Sequence, residues 1–224
     1  MKVLFLFVLV TSASCLRGQT DNTALIKEVE TQLSAGTSVS QILKEKKYLS
    51  IHPDSRFREL IEKFCSDKTL SIAPGDEPGK KIKVIGTVKN EEGKAIPGAL
   101  VYLYQTDAKG WYAADAPHVQ MNEGDMRHAR LFGYVKSNDQ GQFELHTVKP
   151  SGYPKSDLPA HIHVHITADG YRTYVTEFLF DDDDRLVGEI RANAQRNNFI
   201  VSKPEKTTAP FQQQFSYTIT LENK

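Results

Sequence analysis

Residues 161–167 read HIHVHIT, with histidine at every second position. A period of two belongs to an extended strand, whose side chains alternate between faces. His161, His163 and His165 therefore share one face of a sheet. Imidazole is the commonest side-chain metal ligand, and neutral nitrogen donors suit zinc, copper, iron and nickel. An H-x-H pair is also what a polar sheet face looks like. The row by itself leaves both readings open.

The surrounding residues extend the strand pattern. IKVIGTVKN puts Ile82, Val84, Gly86 and Val88 on one side, and a turn with Gly93 and Pro97-Gly98 follows. ALVYLYQTD is a second strand. LFGYVKSN, DQGQ and FELHTV read as a hairpin. HIHVHITA and YVTEFLF bracket a turn at Asp169-Gly170, and FSYTITL supplies the last strand. Short strands with frequent turn signals predict a mostly β chain, an antiparallel β-sandwich over residues 80–222. A short helix is expected within 185–199. Residues 113–128 have no period and read as a long loop, the kind that carries function in a compact domain.

Upstream the period changes. Leu25, Ile26, Val29 and Leu33 recur at helical spacing, as do Val39, Ile42 and Leu43, then Phe57, Leu60, Ile61 and Phe64. Residues 20–72 are thus a helical N-terminal region. Asp21 or Thr23 is placed to cap the first helix, and His52-Pro53-Asp54-Ser55 breaks the chain before the third. The stretch APGDEPGKK at 73–81 marks the boundary with the β domain.

Residues 1–15, MKVLFLFVLVTSASC, join Lys2 to an apolar run and then small residues. That is an export signal, too short to span a membrane. Its end, Ser12-Ala13-Ser14-Cys15, resembles a relaxed bacterial lipobox. The expectation is an exported protein, periplasmic or anchored as a lipoprotein through Cys15, otherwise secreted. Such a lipid is the one membrane contact expected. The other cysteine, Cys65, then has no disulfide partner and reads as a buried, inert thiol. Lys plus Arg total 28 against 28 Asp plus Glu, so no charge surplus points to nucleic acid.

Four motifs then recur in order. They are Asp107-Ala108-Lys109-Gly110-Trp111-Tyr112, Asn138-Asp139-Gln140-Gly141-Gln142-Phe143, Thr147-Val148-Lys149-Pro150-Ser151-Gly152-Tyr153-Pro154, and Pro159-Ala160-His161-Ile162-His163. Over roughly residues 80–182 the chain resembles the intradiol ring-cleavage dioxygenases, the catechol and protocatechuate dioxygenase family. The resemblance implies a mononuclear non-haem Fe(III) held by Tyr112, Tyr153, His161 and His163. It implies a small aromatic diol and O2 as substrates and a muconate-type diacid as product. Tyr153 is then the tyrosinate that is displaced and takes a substrate proton. The chemistry is coherent: phenolate is a hard donor for a hard ferric ion, which supplies the charge needed to ionise a group of pKa about 10.

Two positions depart from the family pattern. Leu158 stands where an arginine commonly precedes P-A-H-I-H, and Glu177 stands where a glutamine is usual. An apolar side chain cannot stabilise an anionic substrate. Arg127 and Arg130 are candidates to replace that cation, and Glu177 is a candidate catalytic group beside the metal. His118 and His128 are further pocket candidates, whereas His165 reads as a neighbour of the ligand set. The run of aspartates at 181–184 reads as a solvated turn. The helical region offers a surface for homo-oligomerisation. Two other functions fit less of the pattern. One is a non-catalytic β-sandwich binding module whose metal site is structural or lost. The other is a metal-dependent hydrolase using the histidine pair, with Glu177 as base.

Overall fold

The 3.6-residue spacing upstream yields three helices in the computed structural model, which describes residues 22–113 and 129–224. The expected export signal at residues 1–15 with its Cys15, Asp21, and residues 114–128 of the expected loop with His118, Arg127 and His128, lie outside the described residues. Helix α1 (Thr23–Ser34) buries Ile26, Val29 and Leu33 and starts at Asn22, whose side chain makes no cap bond. Helix α2 (Val39–Lys44) opens on a capping box between Ser38 and Gln41. A 3-10 turn (Lys46–Ile51) leads to α3 (Ser55–Lys63), where the Asp54 carboxylate accepts from the Arg56 N–H.

Among the described residues ten strands follow: β1 (Ser66–Asp67), β2 (Thr69–Ser71), β3 (Lys81–Asn90), β4 (Leu100–Gln105), β5 (Leu131–Lys136), β6 (Gln142–Val148), β7 (His161–Thr167), β8 (Tyr174–Phe180), β9 (Ile200–Ser202) and β10 (Gln213–Leu221). Helix α4 (Gly188–Arg196) lies between β8 and β9. One sheet has the order β1-β5-β4-β7-β8-β9 and the other β10-β3-β6-β2.

Both sheets are mixed, which corrects the expectation of purely antiparallel sheets. The pairs β1/β5 and β8/β9 are parallel in the first sheet, and β10/β3 and β2/β6 in the second. Parallel neighbours need long connections, and these pairs join segments far apart in the chain or separated by α4. The expected hairpin at 131–148 is also corrected. Asn138 closes a tight turn by accepting from the Gln140 and Gln142 N–H groups. Its two strands nonetheless enter different sheets. The hairpin at Asp169-Gly170 does form, pairing β7 with β8.

The core explains the placement of the histidine row. Ile162, Val164 and Ile166 of β7 are buried with Val101 and Leu103 of β4. The second sheet adds Ile82, Val84, Val88, Phe143, Leu145, Phe215 and Ile219 to the same cluster, and the helices add Ile42 and Phe57. Gly86 is required here: a Cβ would sit 2.2 Å from the Phe143 ring. The opposite face of the first sheet pairs Tyr102 with His165 and Tyr104 with His163. At one end of that face Arg58 of α3 donates to the Tyr102 oxygen and lies 3.7 Å over Phe132. At the other end Leu179 packs against Leu186 and, on α4, against Ala194. The site lies between them. Cys65 is a free, half-buried thiol whose pKa burial pushes up, in keeping with an inert role. No helix among the described residues is long and apolar enough to cross a membrane.

Candidate metal centre

Strand β7 supplies two imidazoles from alternate positions of one face. The Nδ1 of His161 lies 2.8 Å from the Pro159 carbonyl oxygen. A carbonyl only accepts, so Nδ1 carries the proton and the Nε2 lone pair faces the site. His163 is held differently. The ring of Tyr104, its cross-strand partner, stacks on it at 4.2 Å and 8°. The edge of that ring is left to point Nε2 inward.

Two loops bring the phenols. After β4 the chain turns at Asp107, whose Oδ1 accepts from the Lys109 and Trp111 N–H groups at 2.8 and 3.0 Å. Gly110 takes φ +82°, and its absent Cβ would lie 2.3 Å from the Gly152 carbonyl oxygen. The Tyr112 turn can thus press directly onto the loop that carries Tyr153. The Arg130 N–H fixes the far side by donating to the Tyr112 carbonyl at 2.8 Å.

The four groups converge. The two phenol oxygens are 2.6 Å apart. Tyr112 lies 3.0 Å from the Nε2 of His163, and Tyr153 lies 3.1 Å from the Nε2 of His161. Tyr112 and His161 are buried, whereas Tyr153, His163 and Glu177 are partly exposed, so access is from the Tyr153 side. Burial, then the adjacent Tyr153 oxygen, raises the pKa of Tyr112 far above that of an ordinary phenol. Two such oxygens in contact cannot both ionise without a compensating cation. A donor set of two phenolates and two neutral imidazoles fits a hard trivalent metal ion such as Fe(III).

Glu177 completes a cluster with His161 and His163 whose donor atoms lie within 4.8 Å of one another. Its carboxylate, however, faces the Nδ1 of His163 at 3.9 Å, while the Nε2 of the same ring faces Tyr112. One ring cannot aim both nitrogens at one ion. Glu177 therefore stands behind His163, where its charge acts on the imidazole. This geometry gives little to a hydrolase with Glu177 as a base in the same pocket.

The remaining candidates are placed as follows. The Arg130 guanidinium is bound to Glu77 at 2.8 Å and to Asp107 at 3.3 Å, so it braces the Tyr112 turn. His165 lies further along β7 against Tyr102 and Tyr104, and burial lowers its pKa. Leu158 is 49% exposed and brings no charge. The aspartate run is no free turn. Asp181 pairs with Arg191, Asp182 with Lys149, and the Asp183 carboxylate accepts from the N–H groups of Ala160 and Arg185. Tyr104 and Arg185 were missed from sequence. The β4/β7 register identifies Tyr104, but nothing local in the sequence marks Arg185.

A family model described as Dioxygenase matches residues 57–223. Among curated proteins, the chain is 30% identical over 128 residues to a chlorocatechol 1,2-dioxygenase of Rhodococcus opacus, covering 50% of this chain and 48% of the relative. It is 28% identical over 153 residues to catechol 1,2-dioxygenase 1 of Acinetobacter lwoffii, covering 61% and 47%. The chain thus spans about half the length of these relatives. Among solved structures, an intradiol ring-cleavage dioxygenase from Tetranychus urticae superposes with a TM-score of 0.54 at 22% identity, covering 70% of this chain and 87% of the other.

Proposed function

This chain belongs to the intradiol ring-cleavage dioxygenase family, and we propose that it is an Fe(III)-dependent enzyme inserting O2 into a catechol-like ring to give a muconate-type diacid. One observation carries the reading: the phenol oxygens of Tyr112 and Tyr153 and the Nε2 atoms of His161 and His163 meet within 2.6–3.1 Å contacts. Those four residues would hold the ion. When bound, Fe(III) would supply a Lewis-acidic centre for the oxygens of the diol.

The protein's own residues divide the remaining work. Tyr112, buried and braced through Asp107 and Arg130, is the fixed phenolate. Tyr153, partly exposed and on a loop, is the one free to swing away and accept a proton from the incoming diol at its phenol oxygen. The Pro159 carbonyl holds the tautomer of His161, and Tyr104 holds the ring plane of His163. Glu177 adds negative charge behind His163, which favours the more highly charged metal state. Leu158, an exposed apolar residue just before Pro159, supplies no cation to the substrate, which suits a ring that carries little charge of its own.

Aerobic reconstitution with iron tests this reading. Tyrosinate bound to Fe(III) gives a broad visible charge-transfer band, which a catechol should perturb while O2 is consumed. Tyr112→Phe and Tyr153→Phe should each shift or weaken the band. A colourless protein that retains no iron would overturn the proposal. We also propose export directed by residues 1–15, with Cys15 as the lipid acceptor. Mass analysis of the mature N-terminus checks it, and an unprocessed Met1 in the native host would refute it.

A further inference from the structure

What holds the Tyr153 loop in place is not evident from the sequence. Between β6 and β7 the chain runs through residues 149–160 with no regular structure of its own. Its first part is fixed: the Thr106 hydroxyl donates to the Ser151 carbonyl at 2.8 Å, and the Ser151 N–H donates to the Asp107 carbonyl at 3.0 Å. Its last part is fixed by the bond from the Ala160 N–H to the Asp183 carboxylate at 3.0 Å. Between them, residues 153–158 double back, with Lys155 at φ +61°.

The Arg185 guanidinium spans the neck of that excursion. Its Nη1 donates to the Tyr153 carbonyl and to the Leu158 carbonyl, each at 3.2 Å. The neck is tight. A Cβ on Gly152 would lie 2.0 Å from the Leu158 oxygen and 2.5 Å from the Arg185 nitrogen. The arginine is itself seated, because its N–H donates to Asp183 Oδ1 at 2.8 Å, the same carboxylate that holds Ala160. A cation shared by two carbonyls is a charge-assisted contact, stronger than a neutral one.

We infer that Arg185 is a positioning residue for Tyr153, pinning the two ends of the 153–158 loop so that the phenol moves by side-chain rotation on a fixed backbone. This deepens the ferric reading above and rests on it for its catalytic consequence. Its structural consequence stands without a metal. Arg185 acts through two carbonyl oxygens, on a residue whose proton-accepting atom must leave and return to the same place.

Arg185→Met tests this in two arms. In metal-free protein, hydrogen–deuterium exchange at the Ser156 and Leu158 amides should accelerate about tenfold, the scale of a lost charge-assisted hydrogen bond, with β7 and β8 amides unchanged. In ferric protein the charge-transfer band should shift, iron should pass faster to a chelator, and kcat should fall more than KM changes. Arg185→Lys, whose ammonium still reaches a carbonyl, should lie between the two and serves if the methionine variant does not fold. Unchanged exchange in a folded variant overturns the inference. So does accelerated exchange with an unchanged band, iron release and kcat. A colourless wild type would instead overturn the ferric reading, and the exchange arm would still decide whether Arg185 pins the loop.

Discussion

Gly152→Ala should damage the metal centre without touching any of its donors. A methyl group at this position lies 2.0 Å from the Leu158 carbonyl oxygen, and real Cβ contacts do not fall below 3.0 Å. The Tyr153 loop and its neck must therefore separate by about 1 Å. The neighbouring atom is backbone, held by Arg185, so rotation of a side chain cannot relieve the clash. Overpacking of this kind costs about 1–3 kcal/mol. For a chain of this size each kcal/mol lowers Tm by roughly 2–4 °C. The catalytic effect comes on top of the loss of stability: displacement of a catalytic group by 1 Å can cost about 10²-fold, or about 2.7 kcal/mol of barrier. The assay pairs differential scanning calorimetry with the intensity of the ferric charge-transfer band and kcat/KM for a catechol. A folded Gly152→Ala protein with a wild-type band and kcat/KM within twofold would refute the claim that this close approach sets the Tyr153 position.

Three further outcomes follow from the same geometry. Tyr104→Leu removes the ring stacked on His163 and should weaken iron retention about tenfold, read by chelator competition; unchanged retention would refute the role of the stack. His52 is buried with its pKa lowered to about 4, chiefly by desolvation, against 6.5 for the free group. The unfolded chain therefore binds more protons, and stability should be lost as pH falls from about 6.5 to about 4, by on the order of 3 kcal/mol. Urea unfolding of wild type and His52→Phe across that window checks it, and equal slopes would count against the assignment. Glu177→Gln removes a negative charge behind His163 and should raise the ferric reduction potential, measured by spectroelectrochemistry. An unchanged or lower potential would place the carboxylate's influence elsewhere.

The helices were legible because their signal is local. Ile26, Val29 and Leu33 carry the 3.6 period, and Asp54 sits where a cap is needed. The β7/β8 hairpin was legible for the same reason. Strand partners elsewhere were not. Asn138 makes the same tight turn whether its flanking strands pair or part, and only packing sends β5 and β6 to different sheets. The four motifs did bring Tyr112, Tyr153, His161 and His163 to notice, and in the structure those side chains meet. Charge was harder to read. Arg130 looked like a cation for the pocket but is claimed by Glu77, 53 residues away. The aspartates of 181–184 looked solvated, yet three of them hold the chain around the site.

The pairing of β10 with β3 has a consequence for how the molecule is made. Every residue of β3 from Ile82 to Asn90 has a partner in β10, more than 120 residues later. Until residues 213–221 leave the ribosome, one edge of β3 has nothing to bond to, and the second sheet cannot be completed. A growing chain in that condition is incompletely folded and offers an open edge to its neighbours. Incomplete folding is what the export proposed above for residues 1–15 would require of the chain. The same open edge makes any shortened product lacking β10 prone to aggregate.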